Sequence, residues 1–282
     1  AALSLAVLAH AIILRVSRPC RSIKQAGFLA FHGGLFVIIL SGLGTMAFQK
    51  RGFAALMEGE LLRGAQGDFL KIEKGPWAGP LELPFQVKMK EFRHSYWPDG
   101  QVRDFESDVS VIAAGHRRDE SVAVNHPLRA DGIAVYQSPF FGYCLTLALE
   151  SASGEAAVSN FLLDRPARRG VASVRALDFS GTGYNIVFSF KPDRKGGSFF
   201  IKDPALTIDV RDDSGSVFHG PLTIAGAVAL PRGRLRILDI RHWSGLIFVE
   251  NPVVWPAYLG IFSAAVGACM MFSQSSGTCE HA

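Results

Sequence analysis

The chain has 282 residues, a mean hydropathy of +0.22, 49% hydrophobic residues and a formal net charge of +4. This is too apolar for a disordered chain, and the basic excess clusters beside an apolar segment, so it does not argue for a nucleic-acid partner. Four cysteines, with no Cys-x-x-Cys and no Cys-x-x-Cys-His, exclude a covalent c-type haem and a thioredoxin-like redox pair.

The first segment, 1–16, reads as a membrane-spanning helix whose beginning is missing, because its basic residues follow the apolar run instead of preceding it as in a signal peptide. Arg15, Arg18, Arg21 and Lys24 fill the link to the next span, and no acidic residue occurs before Glu58. The positive-inside rule makes this link cytoplasmic, although Lys50 and Arg51 on the far side oppose it weakly. Residues 26–48 contain no charge and suffice to cross a hydrocarbon core of roughly 30 Å. A third span is expected at 253–272, followed by a cytoplasmic tail at 273–282. Parity then places 49–252 outside the cytoplasm. Cys144 is the one cysteine expected in that compartment, without a partner there.

Between the spans, 54–62 is expected to form a short amphipathic helix on the membrane surface. From Leu83 onward the pattern is one of strands and turns. Leu83, Phe85, Val87 and Met89 alternate with Pro84, Gln86, Lys88 and Lys90. Further strands are predicted at 105–112, 121–124, 133–137, 143–149, 184–190, 206–210, 235–240 and 246–249. Turns are marked by Pro98-Asp99-Gly100, Asp131-Gly132, Gly181-Thr182-Gly183 and Asp212-Asp213-Ser214-Gly215. The fold class expected is a membrane protein whose transmembrane α-helices flank a large antiparallel all-β extracytoplasmic domain, a sandwich or open barrel. Trp243, just before the last span, is expected to anchor at the membrane interface.

His32 is the one ionisable group in the second span, and such groups are costly in lipid and usually functional. On a helix of about 100° per residue, Gly27, Gly34 and Ser41 form a small-residue stripe joined by Ala30 and Thr45. His32 falls nearly opposite, among Phe28, Leu35, Phe36, Ile39 and Leu43. One face is suited to helix packing, and the other, aromatic around one imidazole, to a flat porphyrin. An interhelical hydrogen bond is the bland alternative. His10 falls at a similar depth, about 7–9 Å from the cytoplasmic boundary, so a bis-histidine pair with His32 is geometrically open, as is a hydrogen-bonding role. In the middle region, His94, His116, His126 and His219 show no zinc-like spacing. Asn125, His126 and Pro127 read as turn formers, and Asp104, Glu106 and Asp108 as one solvated strand face. No nucleophile-base-acid order or phosphate loop stands out, so catalysis by this chain alone finds no support.

Short motifs follow one another along the chain in a distinctive order. Arg15, Arg18, Pro19, Cys20 and Arg21 follow one span, and Phe31-His32-Gly33-Gly34 lies in the next. Glu58-Gly59-Glu60, Leu83-Pro84-Phe85, Asp104-Phe105-Glu106-Ser107-Asp108 and Val124-Asn125-His126-Pro127-Leu128 come after them. Gly132 to Ser138, Trp243-Ser244-Gly245-Leu246 and Asn251-Pro252 complete the series. This order resembles the ResB family of System II cytochrome c biogenesis. The family usually has a further span before the first one here, and Glu250-Asn251 stands where Asp-Pro-Gly is common.

The resemblance implies a multi-pass subunit of the cytoplasmic (inner) membrane. Its His32 would be an axial ligand of non-covalent haem b; Phe28, Phe36 and His10 are further cofactor-binding candidates from the helix geometry alone, and no family role attaches to the His10 position. A CcsA-type membrane partner and apocytochrome c as recipient are implied likewise. A haem b electron-transfer or anchoring subunit of a respiratory complex is the alternative, with His10 and His32 as its candidate pair. A tethered β scaffold without cofactor is a third reading.

Overall fold

A computed structural model describes residues 6–10, 12–13, 22–151, 154–179, 181–224 and 226–273. The expected first span and the expected tail lie largely outside these residues; within the former, 6–10 and 12–13 are helical. The chain divides into two compact units. One holds Ala1–Gly52, Ile72–Leu81 and Val249–Ala282; the other holds Phe53–Lys71 and Glu82–Phe248.

In the first unit, helix α1 runs Ile23–Phe48 and α2 runs Val254–Phe272. The oxygen of Ser22 caps α1 by accepting from the Gln25 N–H at 3.3 Å. Their 26 and 19 residues give lengths of about 39 and 28 Å. Both are long and apolar enough to cross a membrane. Trp255, Leu259 and Phe262 are mostly exposed on α2, as are Leu40 and Met46 on α1. Water would penalise such a surface, whereas lipid does not.

The buried residues of α1 include Gly27, Gly34 and Ser41, and those of α2 are Gly260, Ala264 and Gly267. These small residues meet. A Cβ on Gly27 would lie 2.8 Å from the Gly267 carbonyl oxygen, and one on Gly34 would collide with the Gly260–Ala264 backbone. The Ser263 hydroxyl donates to the Ala30 carbonyl at 2.9 Å. The small-residue stripe is therefore the packing face, as the spacing predicts.

The strands, in chain order, are β1 (Lys50–Met57), β2 (Leu61–Leu62), β3 (Lys71–Lys74), β4 (Gln86–Tyr96), β5 (Val102–Ala113), β6 (His116–Ala123), β7 (Leu128–Ala130) and β8 (Ile133–Glu150). They continue with β9 (Ala156–Asp164), β10 (Ser173–Phe179), β11 (Tyr184–Lys191), β12 (Ala205–Asp212), β13 (Gly215–Pro221), β14 (Ala227–Leu230) and β15 (Gly233–Glu250). One sheet has the order β3-β1-β15-β8-β7, with β14 on β15 and β9 on β8. The other two are β10-β11-β12-β13 and β2-β4-β5-β6. Every pairing with a described register is antiparallel.

Inward residues of β8 and β9 (Tyr143, Leu145, Leu147, Phe161, Leu163) pack on Ile186, Phe188, Phe190 and Ile208 of the second sheet, forming a sandwich core. Each such burial contributes about 1.5–3 kcal/mol before ordering costs. The tight turns fall where expected. Asp131 and Gly132 both have positive φ between β7 and β8, and Asn125 has φ 62° at the Ala123–His126 bridge.

Three expectations are corrected. Residues 54–62 form strand and turn, not an amphipathic helix, because Gly52, Ala54 and Leu56 are buried at every second position. Trp243 is no interfacial anchor: it is 4% exposed, and its indole N–H donates to the Leu163 carbonyl at 3.0 Å. Glu106 and Asp108 are not merely solvated, since both bind the Arg93 guanidinium across the β4–β5 ladder.

Candidate functional site

His32 sits in the first half of α1 and is half-buried. Its Nδ1 lies 2.9 Å from the Phe28 carbonyl oxygen one turn back. A carbonyl can only accept, so Nδ1 carries the proton and Nε2 is the nitrogen left to meet a ligand. This hydrogen bond fixes both tautomer and ring orientation, as the supporting bond of a metal-ligating histidine does. The Phe28 ring lies 3.9 Å from the imidazole at 31°, and Phe31 meets it edge-on at 5.2 Å. Phe36 follows His32 by four residues, one turn along the same stripe. An imidazole that offers Nε2, flanked by aromatic rings, fits a haem axial ligand. His10 is helical and exposed.

A second constellation was not legible in the sequence. His94 on β4 and His242 on β15 stand edge to face with ring centroids 4.9 Å apart. His94 is 8% exposed and stacks on Phe200 at 4.7 Å and 9°. Phe92, Tyr96 and Phe141 complete its aromatic surroundings. Burial above all, then His242 and Arg165, pushes the His94 pKa down to about 3. Burial also lowers that of His242, against the opposing pull of the Glu58 carboxylate, 3.9 Å away. Both rings are therefore neutral at pH 7. His94 Nδ1, His242 Nε2 and the Tyr96 hydroxyl are buried without a hydrogen-bond partner. No group of three or more His, Cys, Asp or Glu suited to a metal occurs among the described residues.

Several segments that carry the resemblance converge in this β-rich unit. Ser107, Gln137 and Ser244 come from three of them, and their side chains form one knot with contacts of 2.7, 3.0 and 2.7 Å. Glu58 accepts from the Phe92 N–H at 3.0 Å, and Glu60 from the Met57 N–H at 2.9 Å. These motifs thus tie β4, β5, β8 and β15 together and close the turn after β1.

The description of the ResB-like family matches residues 22–228, most of the chain. The chain belongs to the ResB-like family. It is similar to the protein named cytochrome c biogenesis protein CcsB in Synechococcus elongatus, 27% identical over 200 residues, 70% of this chain and 40% of that protein. Proteins of the same name in Crocosphaera subtropica (26% over 211 residues, 73% and 43%) and Microcystis aeruginosa (26% over 224 residues, 75% and 46%) are similar as well. This ResB-like chain thus spans about 40% of the length of the first of these relatives.

Proposed function

We propose that this ResB-like chain is a membrane subunit for cytochrome c biogenesis that holds haem b through His32. In this reading a CcsA-type partner shares the haem, and apocytochrome c receives it on the extracytoplasmic side, where the β-rich unit lies. The observation that carries it is the His32–Phe28 hydrogen bond, which leaves the imidazole Nε2 as the donor atom for iron. The apolar, outward surfaces of α1 and α2 support a lipid environment, and the names of the curated relatives support the pathway. The basic link before α1 supports the assigned orientation.

Bound haem supplies an iron centre whose ligation the protein controls. The chain's own part is to present the imidazole in the orientation fixed by the Phe28 carbonyl, to line one side with Phe28, and to keep α1 aligned by packing on α2. The test is the absorption spectrum of the detergent-purified protein, co-expressed with its presumed partner, as wild type and His32→Ala. Loss of the haem band in the variant, restored by added imidazole, is expected. Unchanged haem content would remove His32 from the site.

A further inference from the structure

The β-rich unit contains a cleft of about 570 Å³ between two strands that end their respective sheets. Its walls are β9 (Ser159 to Leu162 and Asp164) and β10 (Arg175, Leu177 and Asp178), with Phe53, Phe140 and Trp243 at its base and rim. Strand β9 pairs only with β8, and β10 only with β11, among the described residues.

The hydrogen-bond phase shows which backbone groups of β9 face outward. The Arg165 N–H donates to the Phe141 carbonyl at 3.3 Å, so the opposed pair Gly142/Asp164 exchanges no bonds. By alternation the N–H and C=O groups of Val158, Asn160 and Leu162 also point away from β8. Two outward carbonyls confirm this phase. That of Leu162 accepts from Arg175 at 2.8 Å, and that of Asp164 accepts from the Ser173 hydroxyl. Side chains of β10 therefore close the edge at 162–164. The stretch at Val158 and Asn160 stays open, and both residues are exposed.

Such an edge accepts one kind of ligand well, an extended main chain, because only that offers donors and acceptors at the strand repeat. The neighbouring apolar wall suits a large side chain of that ligand: Phe140 is 63% exposed and Leu70 67%. Of the exposed carboxylates flanking the cleft, Asp164 is paired with Arg175 at 4.0 Å, which leaves Asp178 to favour a basic residue on its side.

We propose that the β9 edge captures an extended segment of another polypeptide by strand addition. The segment carries an aromatic or large aliphatic residue for the cleft, with Lys or Arg beside it. This deepens the reading above, on which the segment is a stretch of unfolded apocytochrome c. Arg175 and Ser173 limit the register, since they already occupy the carbonyls beyond Asn160.

The test uses the full chain in detergent, without haem, and a fluorescein-labelled peptide of about ten residues alternating Lys with Val and Phe, followed by anisotropy. Saturable binding is expected. It should weaken about tenfold when alternate peptide amides are N-methylated, and about tenfold in Asn160→Pro. Proline there removes an outward N–H while sparing the backbone β8–β9 ladder, and it loses only the exposed hydrogen bond that the Thr146 hydroxyl donates to the Asn160 side chain, so the melting temperature should fall by no more than a few degrees. No saturable binding to the wild type, or equal affinity for the N-methylated peptide, overturns the proposal. The N-methylation arm holds even if Asn160→Pro fails to fold. Because haem is absent from the assay, a failure of the His32 experiment and a failure of this one are distinguishable.

Discussion

Acid should weaken the β-rich unit through His94, and replacing that residue with Phe should remove much of the effect. In the folded chain the imidazole is held neutral, its pKa pushed down to about 3 by burial and then by His242 and Arg165. In the unfolded chain it titrates near 6.5. Below that value the unfolded state binds a proton that the folded state refuses, so stability is full above about pH 6.5 and falls as pH drops towards 3. The slope for one such group is about 1.4 kcal/mol per pH unit, giving a loss of ~2 kcal/mol at pH 5. For a unit of this size that is about 4–8 °C in melting temperature. A Phe ring can keep the stack on Phe200 and the contact with Phe141, and it deletes the unpartnered Nδ1. Near-UV circular dichroism melts of the detergent-solubilised chain between pH 8 and 5 should therefore show His94→Phe unimpaired at pH 7.5 and more stable than wild type at pH 5. His242, also lowered by burial, keeps a residual slope in the variant. Equal acid slopes for wild type and variant would refute the assignment.

Gly34→Leu should separate α1 from α2, because its side chain would enter the Gly260–Ala264 backbone, whereas Gly33→Ala meets nothing within 4 Å. Melting in detergent is expected to drop by several degrees in the first and stay level in the second. Gln137→Leu should cost about 1–3 kcal/mol by leaving Ser107 and Ser244 with fewer partners in a buried knot, read by denaturant titration of Trp fluorescence. The Cys144 thiol is 1% exposed and burial pushes its pKa up to about 12, so maleimide should modify it only after unfolding; because Cys269 is exposed, labelling is read by peptide mapping, and fast modification of Cys144 itself in the native chain would contradict that.

The helical parts were legible because helix periodicity is local. Gly27, Gly34 and Ser41 recur every seven residues, and that spacing alone identifies the face that α2 covers. Strands with clean alternation, such as 86–90 in the first half of β4 and Tyr184–Lys191, were legible for the same reason, whereas the second half of β4 lies beyond a bulge at Met89/Glu91. The failures have two causes. The apolar run of β8 hides its period, because it is buried on both faces and reads as two short strands instead of one of 18 residues. Strand β9, AAVSNFLLD, shows alternation only in its second half, and β10 only faintly. Those two are the strands that end their sheets at the cleft, where one face and one edge are free of packing. Weak patterning is thus what an open edge looks like in sequence.

The histidines make the same point from the other side. His32 was visible because an ionisable group in an uncharged helix violates a local rule. His94 and His242 violate none: each sits in an ordinary strand, and 148 positions (242 − 94) separate them. Only the packing of the β4 sheet against the β15 sheet brings the rings to 4.9 Å. The quieter signal was His242 beside Trp243. Adjacent strand residues face opposite ways, so a buried Trp243 requires His242 to point to the other face. There Glu58 waits at 3.9 Å and Tyr143 at 5.7 Å between ring centroids. The segment Trp243-Ser244-Gly245-Leu246, taken at first as an approach to the membrane, is the place where β15 is buried on both faces, with Trp243 closing the base of the cleft and His242 closing the aromatic cluster.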